Sequence, residues 1–212
     1  MAAYIVGNYF YERSHRSPFL HPVLVSTAVT SVGLYFLGID REEFSTNVKL
    51  IDMMLGPAVV ALAVPLYDNI QAVRKAATAV IISVLISGAL IMATTFGIHL
   101  MLGVGHAQAL SVSLRSITAP VAVAIANSLQ FIPEMTMLSV FITGLVAVVV
   151  VPAITKAMRV KDDAAVGLIL GITGHTFGIA KALERSPRAA AFATVGMGFT
   201  AAMAAVLLPL AL

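Results

Sequence analysis

The sequence has no cysteine, so no disulfide framework, zinc site or iron–sulfur cluster is expected. Enzyme signatures are missing as well: there is no HExxH, no GxSxG and no phosphate-binding GxxxxGKS/T motif. We therefore predict that the chain is not an enzyme and needs neither a metal nor another cofactor. Its basic residues occur singly or in small groups, and the net charge of +3 gives no indication of nucleic-acid binding.

Charged residues are scarce, at 11% of the chain against roughly 25% in a typical soluble domain. Hydrophobic residues make up 59%, and the mean hydropathy is +0.98. Six intervals lack Asp, Glu, Lys and Arg, and most approach or exceed the roughly 20 residues of a membrane span: 17–39, 76–114, 116–133, 135–155, 164–180 and 189–212. This pattern predicts an all-α polytopic protein of the cell (inner or plasma) membrane, with about seven to eight hydrophobic segments in the lipid bilayer.

Glycine and proline interrupt several of these segments. Proline removes a helical hydrogen bond, and a membrane tolerates irregular backbone only beside protein or water. We expect broken or re-entrant helices near 56–66, 115–125 and 171–181. The residues expected to break the first and last of them are glycines and prolines: Gly56, Pro57, Pro65, Gly171, Gly174 and Gly178.

Two stretches of the chain are similar to each other. LGPAVVALAVPLYDN (55–69) and LGITGHTFGIAKALE (170–184) are each followed by a basic loop and an alanine-rich helix. We predict one transmembrane domain over 1–212, built from two structural repeats of about 1–104 and 106–212, an architecture common in secondary transporters. The alternative is that apolar sequences rich in alanine, valine and glycine resemble one another by chance.

Basic clusters bear on orientation, because cytoplasmic loops carry an excess of lysine and arginine. There are three such clusters: Arg13 with Arg16, Arg74 with Lys75, and the group Lys156, Arg159 and Lys161. Placing the third cluster in the cytoplasm with the others requires the 106–130 region to dip in and return, or to contribute an even number of crossings. We favour a re-entrant or broken segment there.

Ionisable side chains inside apolar segments mark the candidate site, because hydrocarbon penalises charge. Arg115 offers a permanently charged fork for a carboxylate, with hydroxyls beside it and a helix start near Pro120. His175 has the pKa nearest physiological pH and could carry a coupled proton. The expected substrate-binding residues come from two segments: Arg115, Ser116, Thr118, Pro120, Thr173, His175, Thr176 and Lys181.

Each of the three ionisable residues also has a structural interpretation. Arg115 could extend to an interface from a helix end. His175 could be a hydrogen-bonded packing residue. Lys181 could pair with Glu184 one turn later.

Four ordered motifs resemble the LrgB/CidB family of membrane proteins: LGPAVVALAVPLY (55–67), RSITAPVA (115–122), AMRVKDDAAVGLILG (157–171) and GITGHTFGIAKALE (171–184). The similarity covers about residues 17–210. The family's second motif reads close to PKSVTTPIA and its fourth close to GTASHGIGTAKA. Here Leu114, Arg115 and Ala119 replace proline, lysine and threonine, while Gly174 and Thr176 replace serine and glycine. The positive charge is retained, and two hydroxyls are lost.

The resemblance implies two functions. Plant plastid relatives export glycolate and import glycerate, and some bacterial relatives act in pyruvate uptake. Other bacterial relatives are described as holin- or antiholin-like proteins that modulate murein hydrolase activity and cell lysis. Family members often work with a small LrgA/CidA-like membrane protein.

We expect a secondary transporter of small monocarboxylates of the glycolate, glycerate, lactate or pyruvate type. Two broken segments would meet near mid-membrane around the carboxylate, with proton or sodium coupling, an elevator-like movement and a homodimer. The alternative is a holin/antiholin-like protein that regulates murein hydrolase activity and cell lysis. A third interpretation is a structural subunit whose polar motifs serve only helix packing.

Overall fold

The computed structural model describes residues 2–14, 20, 22–54, 57, 60–61 and 63–211, and these residues form helices without any strand. The chain divides into two compact units, residues 1–61 and 62–212. Each unit is described by itself. The predicted all-α architecture is confirmed.

The described part of the first unit includes the helices α1 (Ala2–Arg13), α2 (Pro22–Leu37) and α3 (Arg41–Met53). Helix α1 packs on α2 through Gly7, where an added Cβ would lie 3.2 Å from the carbonyl oxygen of Pro22. Helix α2 is followed by Gly38, whose φ of 65° suits a residue without a side chain. Helix α3 begins after Asp40, whose carboxylate accepts a hydrogen bond from the backbone N–H of Glu43.

The second unit contains eight helices among its described residues and a 3₁₀ turn at Leu114–Ser116: α4 (Ala63–Asp68), α5 (Ile70–Lys75), α6 (Ala77–Met101), α7 (His106–Ser113), α8 (Ala119–Ser128), α9 (Pro133–Ala157), α10 (Asp163–Arg185) and α11 (Pro187–Ala211). By length and composition, four of them could cross a membrane: Ala77–Met101, Pro133–Ala157, Asp163–Arg185 and Pro187–Leu210.

The expected break at 56–66 is only partly described. Gly56 lies outside the described residues, whereas Pro57 is helical. Pro65 lies in the first turn of α4, where its missing N–H breaks no intrahelical hydrogen bond. Its carbonyl oxygen accepts a hydrogen bond from the side chain of Asn69, the residue between α4 and α5.

Helix α10 does not run straight. A straight helix of its 23 residues would be about 34 Å long. Yet Arg185, at its end, donates a 2.6 Å hydrogen bond from Nε to Asp163, at its start. Ser186 donates to the other oxygen of the same carboxylate. The chain reverses at His175, whose backbone is non-helical with φ 41° and ψ −126°.

Helix α10 is therefore a re-entrant hairpin, called hairpin 2 (163–185) below, with arms at 163–174 and 176–185. Arms of 12 and 10 residues are about 18 and 15 Å long, roughly half the 30 Å hydrocarbon core. Hairpin 2 enters and leaves the bilayer on one side. The predicted broken segment near 171–181 is confirmed in this form.

Helix α11 then runs parallel to the first arm of hairpin 2. A Cβ on Gly167 would collide with the carbonyl oxygen of Ala189, and one on Gly171 with that of Ala193. Both alanines are fully buried. Small residues four apart on both helices let the two backbones touch.

The 106–128 region forms a second re-entrant hairpin, called hairpin 1. It leaves the end of α6, where the rings of Phe96 and His106 make an edge-to-face contact at 5.2 Å. It returns to the start of α9, where Ser111 Oγ accepts a hydrogen bond from the backbone N–H of Ile132. The region thus dips in and returns, as the basic clusters suggested.

The basic clusters at 74–75 and 156–161 lie at one end of the second unit. Lys75, Asp162 and Arg188 line the same open depression of about 930 Å³. The connection between α9 and α10 carries Arg159 and Lys161 at this end. The positive-inside rule assigns this end to the cytoplasm.

Candidate functional site

The tip of hairpin 2 is fixed on the middle of α9. His175 is 3% exposed, and its Nε2 donates a 2.9 Å hydrogen bond to the carbonyl oxygen of Val140. The ring lies over Gly144, where an added Cβ would be 2.6 Å from its Cε1. Since a carbonyl only accepts, Nε2 carries a proton and the neutral ring has Nδ1 as its acceptor.

The tip of hairpin 1 reaches the same turn of α9. Leu114 and Ile117 are fully buried there and pack in a cluster that also contains Val140. The two hairpins, which enter from opposite ends of the unit, therefore both have their tips against α9. The backbone leaves the helical conformation at both tips, at Ile117 and Thr118 in hairpin 1 and at His175 in hairpin 2.

Arg115 is the charged residue at the tip of hairpin 1. It is half-buried, and its Nε donates a 3.0 Å hydrogen bond to Thr95 Oγ1 on α6. Within the described residues no carboxylate lies within 4.0 Å of its guanidinium. The permanent charge of Arg115 therefore has a polar partner, Thr95, but no acidic partner among the described residues.

Uncompensated polar groups surround the turn after Arg115. Ser116 is 4% exposed, and its Oγ has no hydrogen-bond partner among the described residues. Thr118 precedes the first residue of α8 with an extended backbone, but its side chain does not cap the helix. Pro120 lies in the first turn of α8, so free N–H groups and the positive end of the helix dipole face this turn.

A half-open cavity of about 360 Å³ lies beside Arg115, between α9 and the first arm of hairpin 2. Its polar lining is Arg115, Thr143, Thr155 and Thr173, and the rest of its wall is apolar. Met158 and Val160 line its other end, in the α9–α10 connection, so it extends from the tips toward the basic end.

The structure brings some of the predicted site residues together and leaves others apart. Arg115 and Thr173 line one cavity, and His175 lies two residues beyond Thr173 at the hairpin tip. Thr176 is exposed on the other arm and contacts Met197 Sδ at 3.8 Å. Lys181 bonds Glu184 at 2.7 Å, the pairing that the spacing allowed.

The glycines of hairpin 2 pack the helices together rather than break them. A Cβ on Gly178 would collide with the carbonyl oxygen of Leu170 on the opposite arm, while one on Gly174 would lie 3.0 Å from the Cβ of Ala147. The non-helical residue is His175 itself. The expectation that glycines make the break was wrong: they allow the arms and their neighbours to approach.

Two threonines of the site were not expected from the sequence. Thr95, which accepts the hydrogen bond of Arg115, lies in the middle of the longest charge-free interval. Thr143 lies in another charge-free interval and lines the cavity. A threonine hydroxyl in a membrane helix usually bonds its own backbone, so the sequence around these two residues does not predict a role in the site.

Similar proteins are found among bacterial membrane proteins. The uncharacterized protein YxaC of Bacillus subtilis is 34% identical over 99% of this chain and 91% of its own length. A protein of Staphylococcus aureus named holin-like protein CidB is 31% identical over 97% of this chain and 91% of its own length. Its namesake in Staphylococcus epidermidis is 29% identical over 93% of this chain and 86% of its own length.

No solved structure matches the chain. The helices described above and the names of these relatives are those of a multi-pass protein of the cell membrane. A model of the LrgB-like family matches residues 1–212, and the chain belongs to this family.

Proposed function

We propose that this protein is a holin-like membrane protein that regulates murein hydrolase activity and cell lysis. The observation that carries the proposal is the similarity to two staphylococcal proteins named holin-like, which extends over 93–97% of this chain. An LrgA/CidA-like small membrane protein and a second copy of this chain are the partners that we propose.

Complementation tests this proposal. The chain is expressed in a Staphylococcus aureus strain that lacks its own CidB, and murein hydrolase activity and detergent-induced lysis are measured. We expect the chain to restore the lysis rate toward that of the parent strain. Lysis that stays at the vector-only rate, with the protein present in the membrane fraction, would contradict the proposal.

The interior of the second unit favours a second candidate, transport of a small monocarboxylate. Arg115 supports it, because an arginine without a described counter-charge beside a cavity is suited to bind a carboxylate through two parallel N–H donors. The unpartnered hydroxyl of Ser116 and the open start of α8 can bind the same anion. One fixed positive charge suits a monoanion of the glycolate, glycerate, lactate or pyruvate type.

Hairpin 2 supplies the other side of this proposed site. Thr173 lines the cavity, and the buried His175 lies two residues further on, at the tip of the hairpin. An elevator-like movement would open the site to one face of the membrane at a time. We propose proton or sodium coupling, with His175 as the titrating group for a proton.

Uptake into proteoliposomes tests transport. Labelled glycolate, glycerate, lactate and pyruvate are offered with and without a proton or sodium gradient. We expect saturable uptake of at least one of them and its loss in Arg115→Gln. The control is Arg159→Gln, which removes the same charge from an exposed loop position outside the cavity.

The two candidates differ in what they predict for Arg115→Gln. If the protein controls lysis by assembly or partner binding, the variant restores lysis control as the wild type does. If lysis control follows from carboxylate movement, the variant loses both activities. Equal uptake by wild type and Arg115→Gln would remove Arg115 from any carboxylate site.

A further inference from the structure

Three threonines line the cavity beside Arg115, and they differ in what their hydroxyls do. Thr155 Oγ1 donates a 2.8 Å hydrogen bond to the carbonyl oxygen of Val151, one turn back on α9. Thr173 Oγ1 donates in the same way, at 2.7 Å, to Ile169 in hairpin 2. Thr143 Oγ1 makes no hydrogen bond within the described residues.

This difference determines which hydroxyl is available to a ligand. A threonine in a membrane helix normally satisfies its hydroxyl on the carbonyl three or four residues back, which occupies its single proton. Thr155 and Thr173 can then only accept. Thr143 retains both its proton and its lone pairs, and it lines the cavity from α9 together with Arg115.

We infer that Thr143 determines specificity by binding the oxygen at carbon 2 of the monocarboxylate whose carboxylate binds Arg115. A 2-oxo oxygen only accepts a hydrogen bond, and a 2-hydroxyl both donates and accepts, so a free threonine hydroxyl suits either. The neighbouring wall residues Val146 and Ala147 are apolar and offer this oxygen nothing. The inference rests on the proposed transport function.

The site would therefore prefer 2-oxo and 2-hydroxy acids over plain carboxylates of the same length. A substrate oxygen buried without a partner loses affinity, which makes a single hydroxyl a selective group. Pyruvate and lactate against propionate form the probe set, because all three have three carbons and one negative charge.

The experiment compares uptake of these three acids by wild-type protein and Thr143→Val in proteoliposomes. Valine has the shape of threonine without its hydroxyl. We expect the ratio of uptake efficiency, pyruvate or lactate over propionate, to fall by about 3- to 10-fold, the usual effect of one neutral hydrogen bond. Propionate uptake itself should change little.

Two further variants separate this role from a structural one. Thr155→Val removes a hydroxyl from the same cavity that is already bonded to the backbone, and it should keep the wild-type ratio. Thr143→Ser retains the hydroxyl and should restore the ratio.

If the ratio of pyruvate or lactate uptake to propionate uptake is unchanged in Thr143→Val, or falls equally in Thr155→Val, Thr143 does not determine specificity. The proposal of carboxylate transport is unaffected by that result. Wild-type protein that takes up none of the three acids overturns the transport function, and the assignment with it. If Thr143→Val fails to fold, the ratio in Thr143→Ala decides in the same way.

Discussion

Hairpin 1 and hairpin 2 are both re-entrant, but they differ in how closely their arms pack and in the polar groups at their tips. Hairpin 2 is closed: Gly178 touches the backbone of the opposite arm, and an ion pair joins its two ends. Hairpin 1 contains no glycine between 106 and 128, and its tip presents the charge of Arg115 and the unpartnered hydroxyl of Ser116.

The difference shows how a membrane protein can divide two tasks between similar segments. A tightly packed hairpin with one strained residue supplies a fixed wall. A looser turn that is held by a few buried apolar residues can leave its polar groups open to a solute. We expect variants of hairpin 2 to change stability first and variants around hairpin 1 to change binding first.

The largest effect is expected from Gly178→Val. The new side chain would collide with the backbone of Leu170, which cannot move without separating the arms. We expect a loss of roughly 3 kcal/mol or more in unfolding free energy, at the upper end of overpacking effects. Unfolding in mixed detergent micelles measures it.

Gly97→Val is the matched control for this variant, because an added Cβ there meets nothing within 4 Å. It should unfold close to wild type. Equal destabilisation of both variants would mean that hairpin 2 is not closed at Gly178.

The next effect concerns the tip of hairpin 2. His175→Ala removes the hydrogen bond to Val140 and keeps a positive φ, so we expect a loss of about 2 kcal/mol. His175→Gly removes the same bond but relieves the backbone, and it should be about 1 kcal/mol more stable than the alanine variant. Thermal unfolding of the two variants side by side measures the difference, and identical curves would argue against strain at this residue.

A smaller effect is expected from Thr95→Val, which deletes the acceptor of the Arg115 Nε hydrogen bond. An arginine that is no longer held should bind a carboxylate with an apparent KM about fivefold higher, equivalent to about 1 kcal/mol. The maximal rate should change less than KM. Concentration-dependent uptake in proteoliposomes measures both quantities.

Thr94→Val provides the comparison for Thr95→Val. Thr94 is its neighbour on α6, is exposed, and donates to the carbonyl oxygen of Leu90. Its variant should leave KM unchanged, and Thr95→Ser should recover most of the wild-type value. The same rise in KM for both valine variants would exclude a specific role of Thr95.

The smallest effect is expected at the ends of hairpin 2. Asp163→Asn weakens the bonds to Arg185 and Ser186, but the side chains of Asp163 and Arg185 are 34% and 38% exposed. Surface ion pairs of this kind contribute about 0.5 kcal/mol, and the effect should shrink further in high salt. Asp162→Asn, which keeps the helix cap, should be neutral by the same unfolding measurement.

Hydropathy and the positions of glycine and proline predict much of this fold. The long charge-free intervals correspond to α6, α9 and α11, and the break in 171–181 lies at His175. The cause of that break was misassigned, because a local pattern cannot distinguish a glycine that bends a helix from one that contacts another backbone. The pairing of Asp163 with Arg185 joins residues 22 positions apart, and no local sequence pattern predicts it.

The candidate site was predictable where charge is scarce and not where hydroxyls are common. Arg115 and His175 stand out because ionisable residues are rare in apolar segments. Thr95 and Thr143 resemble many other threonines of the chain, and only the tertiary structure distinguishes a hydroxyl that faces a cavity from one bonded to its own helix. The two-repeat organisation stays a prediction.

The reversal at His175 also determines whether the chain crosses the membrane an odd or an even number of times. Helices α6, α9 and α11 cross, whereas each hairpin returns to the face from which it came, so residues 77–211 cross the bilayer three times. Four crossings, as the apolar lengths alone would suggest, would place residues 76 and 211 on one face. Three crossings place them on opposite faces, so a reporter enzyme fused after residue 211 would be active outside the cytoplasm.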